Sequence, residues 1–281
     1  MKIEKAKETG FCFGVRRALK LLDEAISENG DIEILGPMVH NQQVIENYSQ
    51  RGVRIVDNID QAQGRVMVIP SHGVAPDIIE ELKNRKFRVI NGTCPIVRKA
   101  QNAARELSSK GFQIIVFGDP AHSEVKGVLG WAGEGAIATL DSEEALKFDK
   151  LPSRLGFLSQ TTQNPEHFLE FINSVFSSCF SQVEGLSVIN TICRVTRKRQ
   201  TDVLELAKKV DLMIVVGGHN SANTRHLAKI CNSTGVETYH IERAAEIDER
   251  WLQGHSLVGV TAGTSTLDQI IQEVVQKLEG I

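Results

Sequence analysis

The chain has 281 residues, of which 41% are hydrophobic and 24% charged, and its formal net charge at pH 7 is −3. This composition is typical of a globular protein, and the near-balanced charge gives no reason to expect a nucleic acid as partner. No run approaches the ~20 apolar residues that cross a bilayer, and residues 1–14 lack the apolar segment of a secretory signal, so we expect a cytoplasmic protein without a membrane partner.

Short, β-branched apolar runs alternate along the chain with longer segments of helical periodicity. The predicted strands include EILG (33–36), VMVI (66–69), FRVI (87–90), QIIVF (113–117), LGFLS (155–159), LSVI (186–189), LMIVV (212–216) and LVGV (257–260). Helices are predicted over 15–30, 95–111 and 196–210. This order predicts βαβ units with parallel sheets, in which ligand-binding loops gather at the carboxyl ends of the strands.

Three of the five cysteines begin copies of one pattern, C-x-x-[VT]-R-[KR], directly before a predicted helix; they are Cys12, Cys94 and Cys193. Polar loops follow at matching distances, and His40 and His122 both lie 28 residues after their cysteine. Self-similarity at a long period indicates a repeated architecture. We therefore expect an α/β fold of three pseudo-repeated units, residues 1–88, 89–186 and 187–281, with parallel sheets around a pseudo-three-fold axis.

The positions of these three cysteines favour a metal site. The positive end of a helix favours thiolate at the residue before it, and the basic pair four and five residues further on adds to this effect. Three convergent thiolates can hold a metal centre that keeps one position open, and zinc and iron–sulfur both fit the ligand type. A small core residue is the alternative for any cysteine, and we expect it for Cys179 and Cys231, which fall outside the pattern.

The polar loops after the strands suit a small phosphorylated anion. Imidazoles, hydroxyls and amides occur there without a Walker-type loop. The candidate ligands are His40, His72, His122, Ser221, Asn223 and Ser265. Glu124 is the one carboxylate in these loops placed to act as an acid, and Thr161 is a hydroxyl in a matching loop. Taken singly, each of these is equally consistent with a surface or capping residue, so the prediction depends on their shared placement.

In combination, these residues resemble the 4-hydroxy-3-methylbut-2-enyl diphosphate reductase family, in order from about residue 10 to the C-terminus. The motifs that carry the resemblance are GFCFGVRRA at Cys12, VHN at His40, SHGV at His72, TCPIVRK at Cys94, AHSEV at His122, SQTT ending at Thr162, TIC at Cys193, NSAN ending at Asn223 and TAGTS ending at Ser265. The resemblance implies three α/β domains around a central cluster and the last step of the non-mevalonate isoprenoid pathway, which yields isopentenyl and dimethylallyl diphosphate.

The resemblance also implies a role for each matching residue. Cys12, Cys94 and Cys193 would hold a [4Fe–4S] cluster with one iron not ligated by protein. Glu124 would deliver protons, Thr161 would help to orient the substrate hydroxyl, and the histidines, serines and Asn223 would hold the diphosphate. An external donor of ferredoxin or flavodoxin type would supply electrons. The chain departs from the family pattern at Ser123, Val195, Ala222 and Leu267, which puts affinity and loop rigidity in doubt more than reaction type.

Two other classes of protein stay open. A quinolinate-synthase-like enzyme also places three cysteines from three α/β domains around an open-iron cluster, but it binds a dicarboxylate and its local motifs differ. An iron–sulfur electron carrier or redox sensor is the non-enzyme alternative, although a carrier is expected to have four cysteine ligands and no need for six polar loops.

The ligand assignment predicts which cysteines the cluster needs. Replacing Cys12, Cys94 or Cys193 by Ser should remove most of the iron and sulfide from anaerobically purified protein, because only these three share the repeated pattern. Cys179→Ser and Cys231→Ser are the controls and should leave both contents unchanged. Equal loss in all five variants, or in none, would contradict the assignment.

Overall fold

The computed structural model describes residues 1–28, 30–39, 41–148 and 152–281. Within these residues the chain forms three four-stranded sheets, and every strand pairing in them is parallel. Helices follow most of the strands, so the predicted α/β class with parallel sheets is confirmed. No helix in this described part of the chain is long and apolar enough to cross a membrane.

The three sheets have equivalent strand orders. The first contains, from edge to edge, β3 (Arg54–Val56), β2 (Ile32–Leu35), β4 (Val66–Ile69) and β5 (Arg88–Asn91). The second contains β7 (Ile137–Thr139), β6 (Gln113–Phe117), β8 (Arg154–Ser159) and β9 (Gly185–Val188). The third contains β11 (Glu237–Ile241), β10 (Leu212–Val216), β12 (Leu257–Ala262) and β1 (Lys2–Lys5).

Three helices are predicted from the sequence, and in the structure they begin at residues 13, 95 and 194, within two residues of the predicted starts. The helices of the described residues follow in chain order. They are α1 (Phe13–Glu28), α2 (Gln42–Gln50), α3 (Pro76–Asn84), α4 (Pro95–Ser109), α5 (Ser123–Ala132), α6 (Pro165–Cys179), α7 (Arg194–Ala207), α8 (Ala222–Ser233) and α9 (Asp268–Glu279). Proline at the first position of α3, α4 and α6 fits the fixed backbone angle that a helix start requires.

The central strands are covered on both faces, which is why they read as continuous apolar runs. All five residues of β10 are buried, and alternate ones contribute to two separate hydrophobic clusters. Leu212, Ile214 and Val216 pack with residues of α9, whereas Met213 and Val215 pack with residues of α7 and α8. The period-2 direction of side chains along a strand thus divides one strand between two layers of core.

Strand β1 completes the third sheet rather than the first, with Ile3 opposite Val258 of β12. In each sheet the fourth strand, β5, β9 or β1, is the one that comes before a pattern cysteine in the chain. The expected unit boundaries near residues 88 and 186 fall within β5 and β9, and the division into three units stays a prediction.

By its internal contacts the chain divides into two compact units. Unit 1 comprises residues 1–16, 39–50 and 194–281 and contains the third sheet. Unit 2 comprises residues 17–38 and 51–193 and contains the first two sheets. Within unit 2, α5 lies close to the start of α3, since a Cβ on Gly130 would lie 2.3 Å from the Cβ of Ala75. The indole nitrogen of Trp131 also donates a hydrogen bond to the carbonyl of Val74, at 3.0 Å. These contacts fix the helix that carries Glu124.

Candidate functional site

Each pattern cysteine is held by the same backbone hydrogen bond. Its amide donates to a carbonyl in the polar loop that follows an inner strand of a sheet, and the next residue of the chain begins a helix. The pairs are Cys12 with Thr264 after β12 at 3.1 Å, Cys94 with Ser71 after β4 at 2.9 Å, and Cys193 with Thr161 after β8 at 2.9 Å. The repeated sequence pattern therefore corresponds to a repeated local structure at the carboxyl ends of the strands.

The other two cysteines are different in kind. None of the five forms a disulfide, and the three pattern cysteines are half-buried, whereas Cys179 and Cys231 lie in hydrophobic clusters. Burial raises the pKa of the Cys231 thiol to about 12 and also raises the pKa of Cys179. A thiol that stays protonated is a poor metal ligand, which supports the core role expected for both.

In unit 1, the loop before Cys12 has a shape that only glycine permits. Gly10 has a φ of +72°, and a Cβ there would lie 1.9 Å from the Oδ1 atom of Asp268 at the start of α9. The amide of Val15, in the first turn of α1, points at the Cys12 sulfur at 3.5 Å. This amide would stabilise negative charge on the sulfur, as the helix N-terminus does.

Two polar loops of unit 1 meet around the side chain of Thr224. Cβ atoms on Gly217 and Gly263 would lie 3.0 Å and 2.1 Å from its Oγ1 atom, so both loops approach it closely. One loop leads to Ser221, which caps α8 by accepting a hydrogen bond from the Thr224 amide at 3.3 Å. The other leads to Ser265, which is buried. Ser221 and Ser265 thus lie on neighbouring loops.

Asn223 lies in the first turn of α8 and is 3% exposed. Among the described residues, neither its Oδ1 nor its Nδ2 atom has a hydrogen-bond partner. A buried amide without partners costs about 1–3 kcal/mol, so such a group requires an explanation. An anion at this helix N-terminus would accept from Nδ2.

In unit 2, Glu124 and Thr161 form a buried pair that leads to Cys193. The carboxylate of Glu124, 4% exposed, accepts from the Thr161 amide at 2.6 Å and from the Thr161 hydroxyl at 2.8 Å. The Thr161 carbonyl in turn accepts from the Cys193 amide. One residue, Thr161, therefore connects the predicted acid to a predicted metal ligand. The sequence places each of the three after a predicted strand but does not show this connection.

The environment of Glu124 favours its protonated form. Burial raises the pKa of this carboxyl, and the two hydrogen bonds from Thr161 lower it by a smaller amount. Desolvation dominates because removing a carboxylate from water costs more than two donors restore. A carboxyl with a raised pKa keeps its proton to a higher pH than an ordinary carboxyl, which is the property that a general acid needs.

His122 is the N-cap of α5. Its Nδ1 atom accepts a hydrogen bond from the Glu124 amide at 3.1 Å, so the ring proton lies on Nε2, which can donate to a ligand. The cap and the predicted acid thus lie two residues apart at one helix start.

His72 lies in the loop that holds Cys94. The following residue, Gly73, has a φ of +72°, and a Cβ there would lie 2.9 Å from the Cγ2 atom of Thr93. The loop therefore lies against the residue that precedes Cys94. His40, the remaining predicted diphosphate ligand, falls outside the described residues.

Across the part of the chain that the structure describes, no group of three or more His, Cys, Asp or Glu side chains is placed to hold a metal ion. Cys12 belongs to unit 1, and Cys94 and Cys193 belong to unit 2. The three-cysteine ligand set stays a prediction. Its local chemistry fits a thiolate-bound cluster, because each sulfur is half-buried and lies at a helix start.

The basic pairs of the pattern are mostly solvent-exposed. Arg98, Lys99, Arg197 and Lys198 all lie on the surface, where water screens their charge. The buried cation after Cys193 is Arg199, which the sequence reasoning did not single out. The sequence does distinguish this residue, because Arg199 is the third basic residue in a row. It lies at a helix position where the other two copies of the pattern have alanine.

Parallel sheets with thiols at helix starts, a buried carboxyl and polar loops at the strand ends define an α/β protein built for ligand chemistry at the carboxyl edge of its sheets. A comparison with known protein families supports this class. The model of the LytB protein family matches residues 3–279, and the chain belongs to this family. Proteins of the LytB family are iron–sulfur enzymes.

The relatives named as 4-hydroxy-3-methylbut-2-enyl diphosphate reductases cover almost the whole chain. One from Dehalococcoides mccartyi strain 195 is 45% identical over 278 residues, which are 99% of this chain and 98% of the relative. One from Geotalea uraniireducens is 39% identical over 281 residues, 100% of this chain and 98% of the relative.

Two solved structures resemble this one. The E-1-hydroxy-2-methyl-but-2-enyl-4-diphosphate reductase from Plasmodium falciparum superposes with a TM-score of 0.91 at 25% identity, over 98% of this chain and 87% of that one. A second, described as the terminal enzyme of the non-mevalonate pathway, has a TM-score of 0.71 at 38% identity, over 100% and 99% of the two chains. The family resemblance seen in the sequence is confirmed.

The raised pKa of Glu124 predicts a specific pH dependence of stability. Between the ordinary carboxyl pKa, ~4.3, and the raised folded-state value, the folded protein binds more protons than the unfolded one, so this group's contribution to stability falls as pH rises. Urea unfolding of wild type and Glu124→Gln at pH 5 and pH 7.5 measures it. The stability of wild type relative to the Gln variant should be lower at pH 7.5.

The control is Glu134→Gln, an exposed residue just after α5, which should keep a constant difference from wild type between the two pH values. A wild-type stability that rises with pH relative to Glu124→Gln would show that the hydrogen bonds from Thr161 outweigh desolvation.

Proposed function

We propose that this chain catalyses the reductive dehydration of 4-hydroxy-3-methylbut-2-enyl diphosphate to isopentenyl and dimethylallyl diphosphate, the last step of the non-mevalonate pathway. The family membership and the names of the full-length relatives support this reaction. The observation that carries it is the buried Glu124 carboxyl, joined through Thr161 to the backbone of Cys193. It pairs a proton source with a thiol of the kind that binds a redox centre.

The reaction consumes two electrons and two protons and releases one water. A [4Fe–4S] cluster held by Cys12, Cys94 and Cys193, with one iron not ligated by protein, would supply the electrons singly and act as a Lewis acid towards the departing hydroxyl oxygen. An external protein of ferredoxin or flavodoxin type would deliver the electrons, and the enzyme would work in the cytoplasm. These parts of the proposal follow from the family resemblance.

The Glu124 carboxyl is 4% exposed and its pKa is raised by burial, so its protonated form would be the proton donor. In the protonated form its carboxyl can donate from one oxygen, while the other oxygen keeps its hydrogen bond from the Thr161 amide. The Thr161 hydroxyl is then released to orient the substrate's hydroxyl group. One proton leaves with that hydroxyl as water, and the second goes to carbon, at either of the two positions that distinguish the products.

The diphosphate would be held by His40, His72, His122, Ser221, Asn223 and Ser265. Asn223 supports this best, because its buried amide has no partner among the described residues and an anion's oxygen would provide one. Ser221 caps a helix whose N-terminus favours negative charge, and His122 can donate from Nε2. Together these residues could donate hydrogen bonds to two or more oxygens of the diphosphate.

The two alternative classes receive less support. Electron transfer alone requires neither a buried acid such as Glu124 nor a buried amide such as that of Asn223 at a helix start. A quinolinate-synthase-like enzyme would need groups for two carboxylates, and it does not account for the full-length match of the LytB model.

Loss of the proton source should stop turnover without removing the cluster. Glu124→Gln keeps the side-chain shape but cannot donate a proton in the same way, so turnover with an artificial electron donor should fall by roughly 10²–10⁴-fold. Iron and sulfide per chain should stay at the wild-type level. The exposed variant Glu134→Gln should retain wild-type turnover. Near-normal turnover of Glu124→Gln would remove this carboxyl from the proposed chemistry.

Pyrophosphate binding tests the anion site independently of turnover. Calorimetry on anaerobic holoenzyme should show inorganic pyrophosphate and isopentenyl diphosphate competing for one site. Asn223→Ala should weaken pyrophosphate by about 10–100-fold, since a hydrogen bond to a charged group contributes about 1.5–3 kcal/mol. Asn232→Ala, an exposed position later in the same helix, is the matched control. Tight binding of a dicarboxylate and none of pyrophosphate would favour the quinolinate-synthase-like alternative.

A further inference from the structure

Arg199 is a buried cation on α7 that the proposed chemistry does not yet use. It is 3% exposed, and in the described part of the chain its hydrogen bonds go to two backbone carbonyls rather than to a carboxylate. Glu8, which could have paired with it, instead forms an ion pair with the adjacent Lys198. Burying a charge without a close partner is expensive by several kcal/mol, so packing alone does not account for an arginine here.

The three copies of the cysteine pattern show that the residue at the position of Arg199 can pack without carrying a charge. The residue six positions after each pattern cysteine is Ala18, Ala100 or Arg199. The two alanines are fully buried, so all three positions face the protein interior. The first two copies of the pattern have the small apolar residue alanine at this position, and only the third copy has an arginine.

The two hydrogen bonds of Arg199 tie together the segments that hold Cys12. Its Nη2 atom donates to the carbonyl of Thr9, three residues before Cys12, at 3.4 Å. Its Nη1 atom donates to the carbonyl of Ala262 at the end of β12, at 3.3 Å. Two residues beyond Ala262, the Thr264 carbonyl accepts the hydrogen bond from the Cys12 amide. The guanidinium therefore connects the loop before the cysteine to the loop that anchors it.

The positive charge of Arg199 is only partly compensated. Burial lowers the pKa of its guanidinium, whereas the negative charge of Cys12 as thiolate, and then that of Glu8, raise it. Arginine nevertheless stays cationic in proteins at neutral pH. Its buried Nε atom has no hydrogen-bond partner in the described residues. The guanidinium is thus bound, in a poorly solvated region, to the two backbone segments that also hold Cys12.

We propose that Arg199 is a positioning residue for Cys12, which fixes the loop of this ligand and stabilises the reduced form of the cluster by its charge. The proposal rests on the ligand role assigned to Cys12 above. An added electron increases the negative charge of a thiolate-bound cluster, and a fixed cation beside a ligand therefore raises its reduction potential. The arginine's two-branched donor group performs the positioning, and its charge changes the potential.

The test uses anaerobic holoenzyme carrying Arg199→Met, Arg199→Lys or the control Lys208→Met, which removes one exposed positive charge just after α7. Potentials come from redox titration followed by electron paramagnetic resonance, and loop order comes from hydrogen exchange of the peptide that contains Cys12. Arg199→Met should show a lower potential and faster exchange in that peptide. Arg199→Lys keeps the positive charge and should therefore recover part of the potential. It should not recover the slow exchange, because one ammonium group cannot replace the two hydrogen bonds that the guanidinium donates to Thr9 and Ala262. The peptide around Cys94 should be unchanged in all three.

The proposal would be overturned if Arg199→Met had the same reduction potential as Lys208→Met and the same exchange rate in the peptide that contains Cys12. If the methionine variant loses its iron, Arg199→Lys decides: faster exchange at Cys12 supports the positioning role, and wild-type exchange refutes it. The exchange measurement needs no substrate. It therefore separates a failure of this inference from a failure of the ligand assignment, which would appear as a cluster retained in Cys12→Ser. A failure of the proposed reaction would appear instead in the turnover and pyrophosphate measurements.

Discussion

The hydrogen bond from each pattern cysteine's amide to the loop after an inner strand is the interaction on which the site depends. It occurs three times, at Thr264, Ser71 and Thr161, with nearly equal lengths. In a parallel sheet the carboxyl ends of all strands lie at one edge, so a loop there leaves backbone carbonyls that must be satisfied. The cysteine amides satisfy three of them, and this fixes each thiol at the start of its helix.

The residues singled out for function in each unit are also where the chain tolerates unfavourable burial. Glu124, Asn223 and Arg199 are each at most 4% exposed, and each carries a polar group whose burial reduces stability. Elsewhere the strands are filled with aliphatic side chains, and these offset the loss. Burial raises the pKa of Glu124, the Asn223 amide has no partner among the described residues, and Arg199 keeps a charge against the backbone segments that hold Cys12. The destabilising features are those that the proposed reaction would use.

The departures from the family pattern have small structural effects. Ser123 is the first residue of α5, where a proline would also fit, and the helix begins there because His122 supplies the cap. Leu267 precedes α9 with φ −64° and ψ 137°, angles that a proline also adopts. Ala222 begins α8 directly after the capping Ser221, so its missing hydroxyl leaves the helix start intact. The altered residues thus change available donors and loop stiffness rather than the positions of the neighbouring site residues.

The sequence by itself determined the alternation of strands and helices, the α/β class and the family, because apolar periodicity and the cysteine pattern are local properties of the chain. It also placed Cys193, Glu124 and Thr161 each in a loop directly after a predicted strand. Only the tertiary structure decided that Glu124 bonds to Thr161, that β1 joins β12, and that Arg199 rather than the exposed basic pairs is the buried cation near Cys12. The reason is physical: desolvation and long-range hydrogen bonding depend on residues far apart in the chain, and no local pattern records which of them become neighbours.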